Sequence, residues 1–162
     1  MAPSVDTFSI LKRAKRIAVV GASNKQTRAS YFVMKYMTTK GYEIFPVNPH
    51  LAGTVILGRT VCSSLLETPP ETIDIVDIFR RPEEVPGIVD EAIEIGAGAI
   101  WMQLGIKNDT AALKAAAAGL DVVQDRCLKI EYGRYSGEMG WGGMNTGVIS
   151  NRRTRKLDYG RK

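Results

Sequence analysis

Residues 15–24 read Lys-Arg-Ile-Ala-Val-Val-Gly-Ala-Ser-Asn, an apolar run that ends in a turn of small residues and leads into a helical pattern. Branched apolar residues bounded by glycine are typical of a buried parallel strand, and the apolar residues of segment 29–40 recur at helical spacing. Gly21, Ala22 and Ser23 add little side-chain bulk, so the backbone there can approach a ligand closely. The start of the following helix directs N–H groups and a positive dipole end at any anion beside it. The segment therefore predicts a strand-turn-helix unit that cradles a phosphate group.

The turn after this strand lacks the Gly-x-Gly-x-x-Gly fingerprint of dinucleotide binding, because Ser23 stands where the second glycine would fall. A second interpretation therefore stays open, in which Gly21 only makes a tight turn between the strand and the helix. The segment alone predicts an anion at the helix start and leaves the identity of the ligand open.

Length and composition indicate one globular domain, since the chain has 162 residues of which 44% are hydrophobic. No stretch has the pattern of a signal peptide or a membrane span, so we expect a cytoplasmic protein with no membrane partner. Cys62, Cys127 and His50 cannot form a zinc site with ordinary ligand spacing, and two cysteines are not a disulfide framework. We expect no metal site and two reduced thiols.

The net charge of +5 comes from the C-terminal tail. Residues 151–162 carry six basic side chains and a single acidic one, Asp158, so the rest of the chain is neutral overall. A nucleic-acid-binding protein of this size usually has a basic face on its folded domain, with aromatic residues among the charges. We therefore expect a solvated basic tail and no specific nucleic-acid partner.

Strand and helix patterns alternate along the rest of the chain. A helix that opens at Pro82 and an alanine-rich helix capped by Asn108 are indicated by their first turns. Apolar runs predict four further strands, at 42–47, 72–79, 97–104 and 120–124. The helix that opens at Pro82 has its predicted core face at Val85, Ile88, Val89, Ala92 and Ile93.

This alternation predicts a Rossmann-like α/β fold, a single doubly wound parallel sheet with helices on both faces. We expect the strand order 3-2-1-4-5. In such sheets the ligand binds outside the carboxyl ends of the strands where the order reverses, here beside strand one. The loops at those ends begin at Gly21, Asn48, Phe79, Gln103 and Asp125.

The C-terminal part of the chain differs in composition from this repeating pattern. Segment 133–147 is rich in glycine and suits a loop over the surface better than regular structure. We therefore expect the folded domain to cover residues 1–134, followed by a glycine-rich and basic extension at 135–162.

Five motifs at the strand ends together resemble a known family. They are Val-Gly-Ala-Ser-Asn at 20–24, Pro-Val-Asn-Pro at 46–49, Val-Asp-Ile-Phe-Arg-Arg-Pro at 76–82, Trp-Met-Gln-Leu-Gly at 101–105 and Asp-Arg-Cys-Leu-Lys-Ile-Glu at 125–131. The ordered set looks like the small stand-alone CoA-binding proteins, which are similar to the nucleotide-binding domain of the succinyl-CoA synthetase α subunit. The resemblance covers roughly residues 8–134 and implies a Rossmann-like domain that binds coenzyme A (CoA).

The end of the second predicted strand agrees with that implication. An NAD-binding domain usually carries an acidic side chain there, which holds the ribose hydroxyls. This chain instead has Val47, Asn48 and Pro49, followed by His50. The lack of a carboxylate disfavours NAD and fits a ligand with a 3′-phosphate.

Phosphate groups need cationic partners, and basic side chains lie in or next to the predicted ligand loops at Lys25, Arg28, Arg80 and Arg81. A guanidinium can bind two phosphate oxygens at once, and Arg80 is the strongest candidate. An ordinary solvated loop charge is the alternative for each of these side chains. The predicted binding set also includes Asn24 and Phe79, which belong to the first and third of these loops.

The strand ends farther along the chain are predicted to meet the pantetheine arm. Gln103, which precedes Gly105, can hydrogen-bond the amide groups of that arm, whereas Trp101 suits the core or a wall. Cys127 matches a cysteine near the CoA thiol end of the synthetase domain, although Leu128 replaces the proline of that motif. A buried small hydrophobe is the alternative for Cys127.

No catalytic set stands out in the sequence. The synthetases work through a phosphorylated histidine in a separate domain, and the chain has neither that domain nor its motif, while His50 is its single histidine. We expect non-catalytic binding of CoA or a short acyl-CoA. The alternatives are an enzyme, either NAD(P)-dependent or acyl-CoA-processing through Cys127, and a module whose basic tail docks on an acidic protein or RNA. The oligomeric state, a homo-oligomer included, stays open.

Overall fold

The computed structural model of the protein describes residues 6–70 and 72–137. Strands and helices alternate through most of this part of the chain, as the sequence predicts. Its strands are β1 (Arg16–Val20), β2 (Glu43–Val47), β3 (Val55–Ile56), β4 (Arg59–Thr60), β5 (Ile75–Ile78), β6 (Ala99–Met102) and β7 (Asp121–Val123). Its α-helices are α1 (Thr7–Arg13), α2 (Ala29–Thr39), α3 (Val85–Glu94), α4 (Asp109–Ala117) and α5 (Leu128–Ser136).

Five of the strands form one parallel sheet in the order β2-β1-β5-β6-β7. The predicted class, a Rossmann-like α/β fold around a parallel sheet, is confirmed. The predicted order 3-2-1-4-5 is wrong, because β5, the third of these strands along the chain, lies between β1 and β6 rather than outside β2. The order therefore reverses between β1 and β5, and the loop after β5 becomes the neighbour of the loop after β1.

The alternating Ile-Asp-Ile pattern around β5 gives no sign of this central position. Asp74, just before β5, accepts hydrogen bonds at one carboxyl oxygen from the backbone N–H groups of Lys15 (2.8 Å) and Arg16 (2.9 Å). Asp77 is fully buried within the strand. Asp74 is thus used to bond the backbone at the start of β1, and Asp77 lies inside the sheet, neither of which an alternating sequence pattern indicates.

Helices cover both faces of the sheet. On one face, buried residues of α3 and α4 join an apolar cluster with β1, β5 and β6. Of the predicted core face of α3, Val85, Val89 and Ala92 are fully buried, and Ile88 and Ile93 pack partly buried against the cluster. The crossover through α2 runs in the opposite direction along the sheet, so α2 covers the other face.

The described elements that are absent from the sequence prediction include helix α1, the short antiparallel hairpin of β3 and β4, and helix α5. Because α5 continues to Ser136, the prediction of a loop is wrong for residues 133–136. The rest of the glycine-rich segment from residue 138, and the basic tail at 151–162, lie outside the described residues. None of the helices in the described part of the chain is long and apolar enough to span a membrane.

The chain divides into two compact units, residues 1–129 and residues 130–162. The first unit contains the whole parallel sheet. In the described part of the second unit, the rings of Tyr132 and Tyr135 meet edge to face with their centroids 5.7 Å apart. The Nη1 atom of Arg134 lies 3.6 Å from Oε2 of Glu131.

Candidate functional site

The carboxyl ends of β1 and β5 meet where the strand order reverses, the place at which open α/β sheets bind ligands. The backbone N–H of Phe79 donates to the carbonyl of Val20 (2.8 Å) and joins the two strand ends. Gly21 lies against this junction with a φ of +94°, and a Cβ atom there would lie 2.8 Å from the Phe79 carbonyl oxygen. The same Cβ would lie 3.1 Å from Cδ of Arg80. Glycine at this position therefore lets the β5 loop pack directly on the turn after β1.

The first two N–H groups of that turn are already bonded within the protein. The N–H groups of Gly21 and Ala22 both donate to the carbonyl oxygen of Val47, at 2.9 and 3.2 Å. Asn48 adds a second link, because its Nδ2 donates to the Ala22 carbonyl (2.9 Å) while its Oδ1 accepts from the N–H of His50 (2.8 Å). These bonds fasten the end of β2 to the turn. Direct contacts of these residues with a ligand stay predictions.

The N-terminus of α2 has no side-chain cap. Its N-cap residue, Arg28, makes no such hydrogen bond, and Oγ of Ser23 accepts from the N–H of Lys25 (3.0 Å) instead. Asn24, Lys25 and Arg28 are exposed, and neither Lys25 nor Arg28 forms an ion pair with another described residue. The N–H of Tyr31 already donates to the Arg28 carbonyl (3.1 Å), but the N–H groups of Ala29 and Ser30 bond no described residue. A helix start with these two N–H groups and exposed cations beside it suits an anion.

Arg80 and Arg81 are both held by Glu84. Nε and Nη2 of Arg80 donate to Oε1 of Glu84 at 3.0 and 2.7 Å, and Nε of Arg81 donates to Oε2 at 3.1 Å. The hydrogen bond from Arg80, followed by that from Arg81, lowers the pKa of Glu84. The Arg80 side chain is 32% exposed and that of Arg81 75%. Two guanidinium groups and one carboxylate give this cluster a net positive charge.

Glu84 is absent from the residues that the sequence predicts for the site. The sequence indicates it only as an acidic residue at the start of a helix. The signal that could have found it is its spacing, since it stands four residues after Arg80 and three after Arg81. Side chains at these separations are neighbours on a helical turn.

The predicted residues after β6 and β7 are tied to one another. Gln103 is 5% exposed, and its Oε1 accepts from the N–H of Leu128, the first residue of α5, at 2.9 Å. The N–H of Gly105 donates to Oδ1 of Asp125 (2.7 Å), which has a positive φ of 57°. Cys127 directly precedes α5 and is partly buried. The side-chain oxygen of Gln103 is therefore already bonded to Leu128. The predicted hydrogen bond to a ligand would have to come from its side-chain nitrogen, Nε2.

Cys62 lies at the other end of the same sheet edge. Its N–H donates to the Pro46 carbonyl and its carbonyl accepts from the N–H of Asn48, each at 2.9 Å, beside the edge strand β2. Because β2 and β7 are the outermost strands of the sheet, four strand spacings, about 19 Å, separate them. Burial, and to a lesser degree the charge of Glu67, raises the pKa of the Cys62 thiol. Cys62 thus lies beside β2, whereas Cys127 lies on the β7 side of the sheet.

The structure thus brings Gly21, Phe79 and Arg80 into contact at the reversal point and places Gln103, Gly105 and Cys127 on the β6 and β7 side. Pro49 is exposed in a short 3-10 helix that follows β2. Among the described residues, no group of three or more histidine, cysteine or acidic side chains is arranged to hold a metal ion.

Known proteins carry the same domain. Residues 15–133 match a family model described as the CoA binding domain. The chain belongs to this family. Protein YneT of Bacillus subtilis (strain 168), described as uncharacterized, is 43% identical to this chain over 123 residues, which cover 76% of the chain and 89% of YneT.

The α subunit of an ADP-forming acetate–CoA ligase I from Pyrococcus furiosus is 36% identical over 94 residues, which cover 56% of the chain. The matched segment is 20% of that subunit, so the CoA binding domain corresponds to about a fifth of its length. A hypothetical protein from Pyrococcus horikoshii OT3 has the same fold with a TM-score of 0.76 and 40% identity, covering 81% of this chain and 90% of the other. The predicted resemblance to the small stand-alone CoA-binding proteins, which are similar to the nucleotide-binding domain of the succinyl-CoA synthetase α subunit, is confirmed.

Proposed function

We propose that the protein binds coenzyme A or a short acyl-CoA along the carboxyl edge of its sheet. The phosphate groups lie at the start of α2 and beside Arg80, and the pantetheine arm runs toward Gln103 and Cys127. The observation that carries the proposal is the uncapped N-terminus of α2 at the reversal point, next to cationic side chains.

The charges in this place suit a ligand with several phosphate groups. Lys25 and Arg28 are exposed and form no ion pairs with other described residues, and the cluster of Arg80, Arg81 and Glu84 is positive overall. A guanidinium with a free edge can take two phosphate oxygens, and the helix dipole adds to the attraction.

The end of β2 supports CoA over NAD. Dinucleotide-binding domains hold the ribose hydroxyls with an acidic side chain at this place. Here Val47 is buried, and the side chain of Asn48 is used to bond Ala22 and His50. No carboxylate stands at this end of β2 to perform the ribose contact.

We propose a binding role rather than catalysis. On the β6 and β7 side, polar side chains are used to bond backbone N–H groups: Gln103 accepts from Leu128, and Asp125 accepts from Gly105. One observation favours a second candidate, an enzyme that processes acyl-CoA, because the partly buried thiol of Cys127 directly precedes α5. Incubation with acetyl-CoA separates the two, since a binding protein returns the thioester intact.

A thermal-shift panel of CoA, acetyl-CoA, pantetheine, NAD, NADP and FAD tests the proposal. A ligand at a hundred times its dissociation constant stabilises a protein by about 2.7 kcal/mol. For a chain of this size the midpoint should rise by roughly 5 to 10 °C. We expect CoA and acetyl-CoA to give this shift and the dinucleotides to give none. A shift with NAD or NADP and none with CoA would replace the proposal by the NAD(P)-dependent alternative.

Removal of residues 151–162, which lie outside the described residues, tests the role of the tail. The deletion takes away the net positive charge of the chain and leaves the sheet intact. We expect CoA affinity to persist and any salt-sensitive binding of RNA to disappear. RNA binding that survives the deletion at moderate salt would indicate a basic face on the folded domain.

A further inference from the structure

Glu84 is fixed by the start of a helix rather than carried on a free loop. It is the last residue of a 3-10 turn, Pro82–Glu84, and the N-cap residue of α3. Its N–H donates to the Arg81 carbonyl (2.9 Å), and the next residue, Val85, is fully buried. The backbone that carries the Glu84 carboxylate is therefore anchored in the core.

Arg80 is held at two points. Its aliphatic stem lies against Gly21, because Cδ is 3.1 Å from where a Cβ atom of that residue would be. Its guanidinium is held by Glu84 through Nε and Nη2. The stem and the head are thus fixed by different elements, the turn after β1 and the start of α3.

The two bonds to Glu84 leave one edge of the guanidinium open. Nη1 of Arg80 and the second N–H of Nη2 bond no described residue. This end-on pair of donors matches two oxygens of a phosphate group, while Glu84 keeps the opposite edge. A single arginine can therefore bind the carboxylate and a phosphate at the same time.

We propose that Glu84 is a positioning residue that holds Arg80 for the phosphate groups of the ligand and so sets the preference for CoA over unphosphorylated pantetheine. This inference rests on the proposed function. An arginine that is already held loses less rotamer freedom when the ligand binds, which favours the complex. The Glu84 carboxylate, whose pKa is lowered by the hydrogen bonds from Arg80 and Arg81, is charged at neutral pH as a glutamate ordinarily is, so the ion pair is present there.

The direction of a charge-removing substitution distinguishes positioning from simple repulsion. Glu84→Gln removes one negative charge beside an anion site, which by charge alone should strengthen CoA binding. If Glu84 holds Arg80, the same substitution weakens CoA binding, because the glutamine amide keeps an acceptor oxygen but no longer forms an ion pair with the guanidinium. Glu83→Gln is the matched control, because Glu83 is exposed, stands one residue away and makes no ion pair with a described residue.

Isothermal titration of the full chain with CoA and with pantetheine provides the measurement. We expect Glu84→Gln to weaken CoA by about fivefold, within the range for residues of one hydrogen-bond network, with pantetheine unchanged. Glu83→Gln should bind CoA at least as tightly as the unaltered protein. In a chain that already carries Arg80→Ala, Glu84→Gln should cause no further loss. Glu84→Asp, which keeps the charge at the helix start, serves as the second variant and should weaken CoA in the same way, because its carboxylate is one methylene shorter.

Each outcome bears on one of the two proposals. If the unaltered protein binds no CoA, the proposed function fails and this inference fails with it. If the unaltered protein binds CoA and Glu84→Gln binds it equally or more tightly, Glu84 does not position Arg80, and CoA binding stands alone. An equal loss for CoA and pantetheine in a variant with an unchanged thermal midpoint would also overturn the inference.

Discussion

The two halves of the sheet's carboxyl edge differ in how the unpaired N–H groups at the starts of their helices are bonded. In the β6–β7 half, the loops after β6 and β7, Asn108 caps α4 by accepting from the Ala111 N–H (3.0 Å), and Gln103 accepts from the first N–H of α5. In the β1–β5 half, the loops after β1 and β5, α2 begins at Arg28 without a side-chain cap. The fold thus leaves the start of α2 available to an external anion and closes those of α4 and α5 with its own side chains.

The halves also differ in how their polar side chains bond. In the β6–β7 half, Asp125 and Gln124 accept from backbone N–H groups of Gly105 and Asn108, both at 2.7 Å. In the β1–β5 half, the arginines bond only a carboxylate, which can share them with a ligand. Specificity for phosphate is therefore expected in the β1–β5 half, and contact with the uncharged pantetheine arm in the β6–β7 half.

The largest expected effect comes from Gly21→Ala, which forces a side chain against the Phe79 carbonyl in the β1–β5 half. Positive φ and the backbone clash together should cost about 3 kcal/mol of unfolding free energy, and CoA binding should fall with it. Urea unfolding provides the measurement.

Gly41→Ala is the matched control. Gly41 has a φ of +95°, close to that of Gly21, but a Cβ atom there would meet nothing within 4 Å. Its cost should be the conformational strain alone, roughly 1 to 2 kcal/mol. Equal losses in the two variants would show that the contact between Gly21 and Phe79 contributes nothing to stability.

Arg80→Ala tests whether the β1–β5 half of the carboxyl edge binds the phosphate groups of the ligand and not its pantetheine arm. Loss of a charge-assisted contact should weaken CoA binding by about 1.5 to 3 kcal/mol and leave pantetheine unchanged. Isothermal titration with both ligands measures the difference. Arg59→Ala is the control, because Arg59 also pairs with a glutamate, Glu43 (3.1 Å), at the opposite edge of the sheet. If Arg80→Ala weakens both ligands alike, Arg80 supports the fold rather than the phosphate.

Asp77 lies in β5, the strand next to the boundary between the two halves, with Val19 of β1 and Trp101 of β6 as its register neighbours. It is fully buried, both of its carboxyl oxygens lack a hydrogen-bond partner among the described residues, and burial raises its pKa well above the usual value. The folded state therefore holds a proton that the unfolded chain releases above its ordinary pKa of about 3.9. Stability should fall as pH rises from there through the raised pKa, by up to about 1.4 kcal/mol per pH unit.

Asp77→Asn removes the titrating group and should abolish this dependence. Urea unfolding of both proteins across a pH series gives the comparison. We expect the difference in stability between the variant and the unaltered protein to grow in favour of the variant as pH rises through that window. Parallel pH profiles would mean that Asp77 is not protonated in the folded state.

The smallest expected effect is a difference in labelling between the thiols of Cys62, beside β2, and Cys127, directly before α5. The raised pKa of Cys62 lowers its thiolate fraction at neutral pH, and thiolate is the form that attacks a disulfide. We expect CoA disulfide to label Cys127 before Cys62 and reduced CoA to protect Cys127 from a small alkylating reagent. Peptide mapping by mass spectrometry decides the order. Labelling of Cys62 first would place the thiol end of the ligand elsewhere.

Local patterns in the sequence predicted most of the elements that form the site. The helix expected at 29–40 is α2 (Ala29–Thr39), and Asn108 caps α4 as its place before the alanine-rich run indicates. These features depend on periodicity and capping within a few residues, which the sequence displays directly. The pairing of Glu84 with Arg80 is of the same local kind, although the predicted site does not include it.

The sequence by itself determined the fold class, the presence of helix α2 after the turn at Gly21, and the family through five short motifs. Only the tertiary structure decided which strand lies beside β1, that the Gly21 turn contacts Phe79 and Arg80, and that Gln103 caps α5. It also decided that Asp77 is buried with no hydrogen-bond partner among the described residues. The physical reason is distance along the chain. Strand order and burial depend on contacts between segments tens of residues apart, and those contacts are fixed by packing the whole sheet rather than by any local pattern.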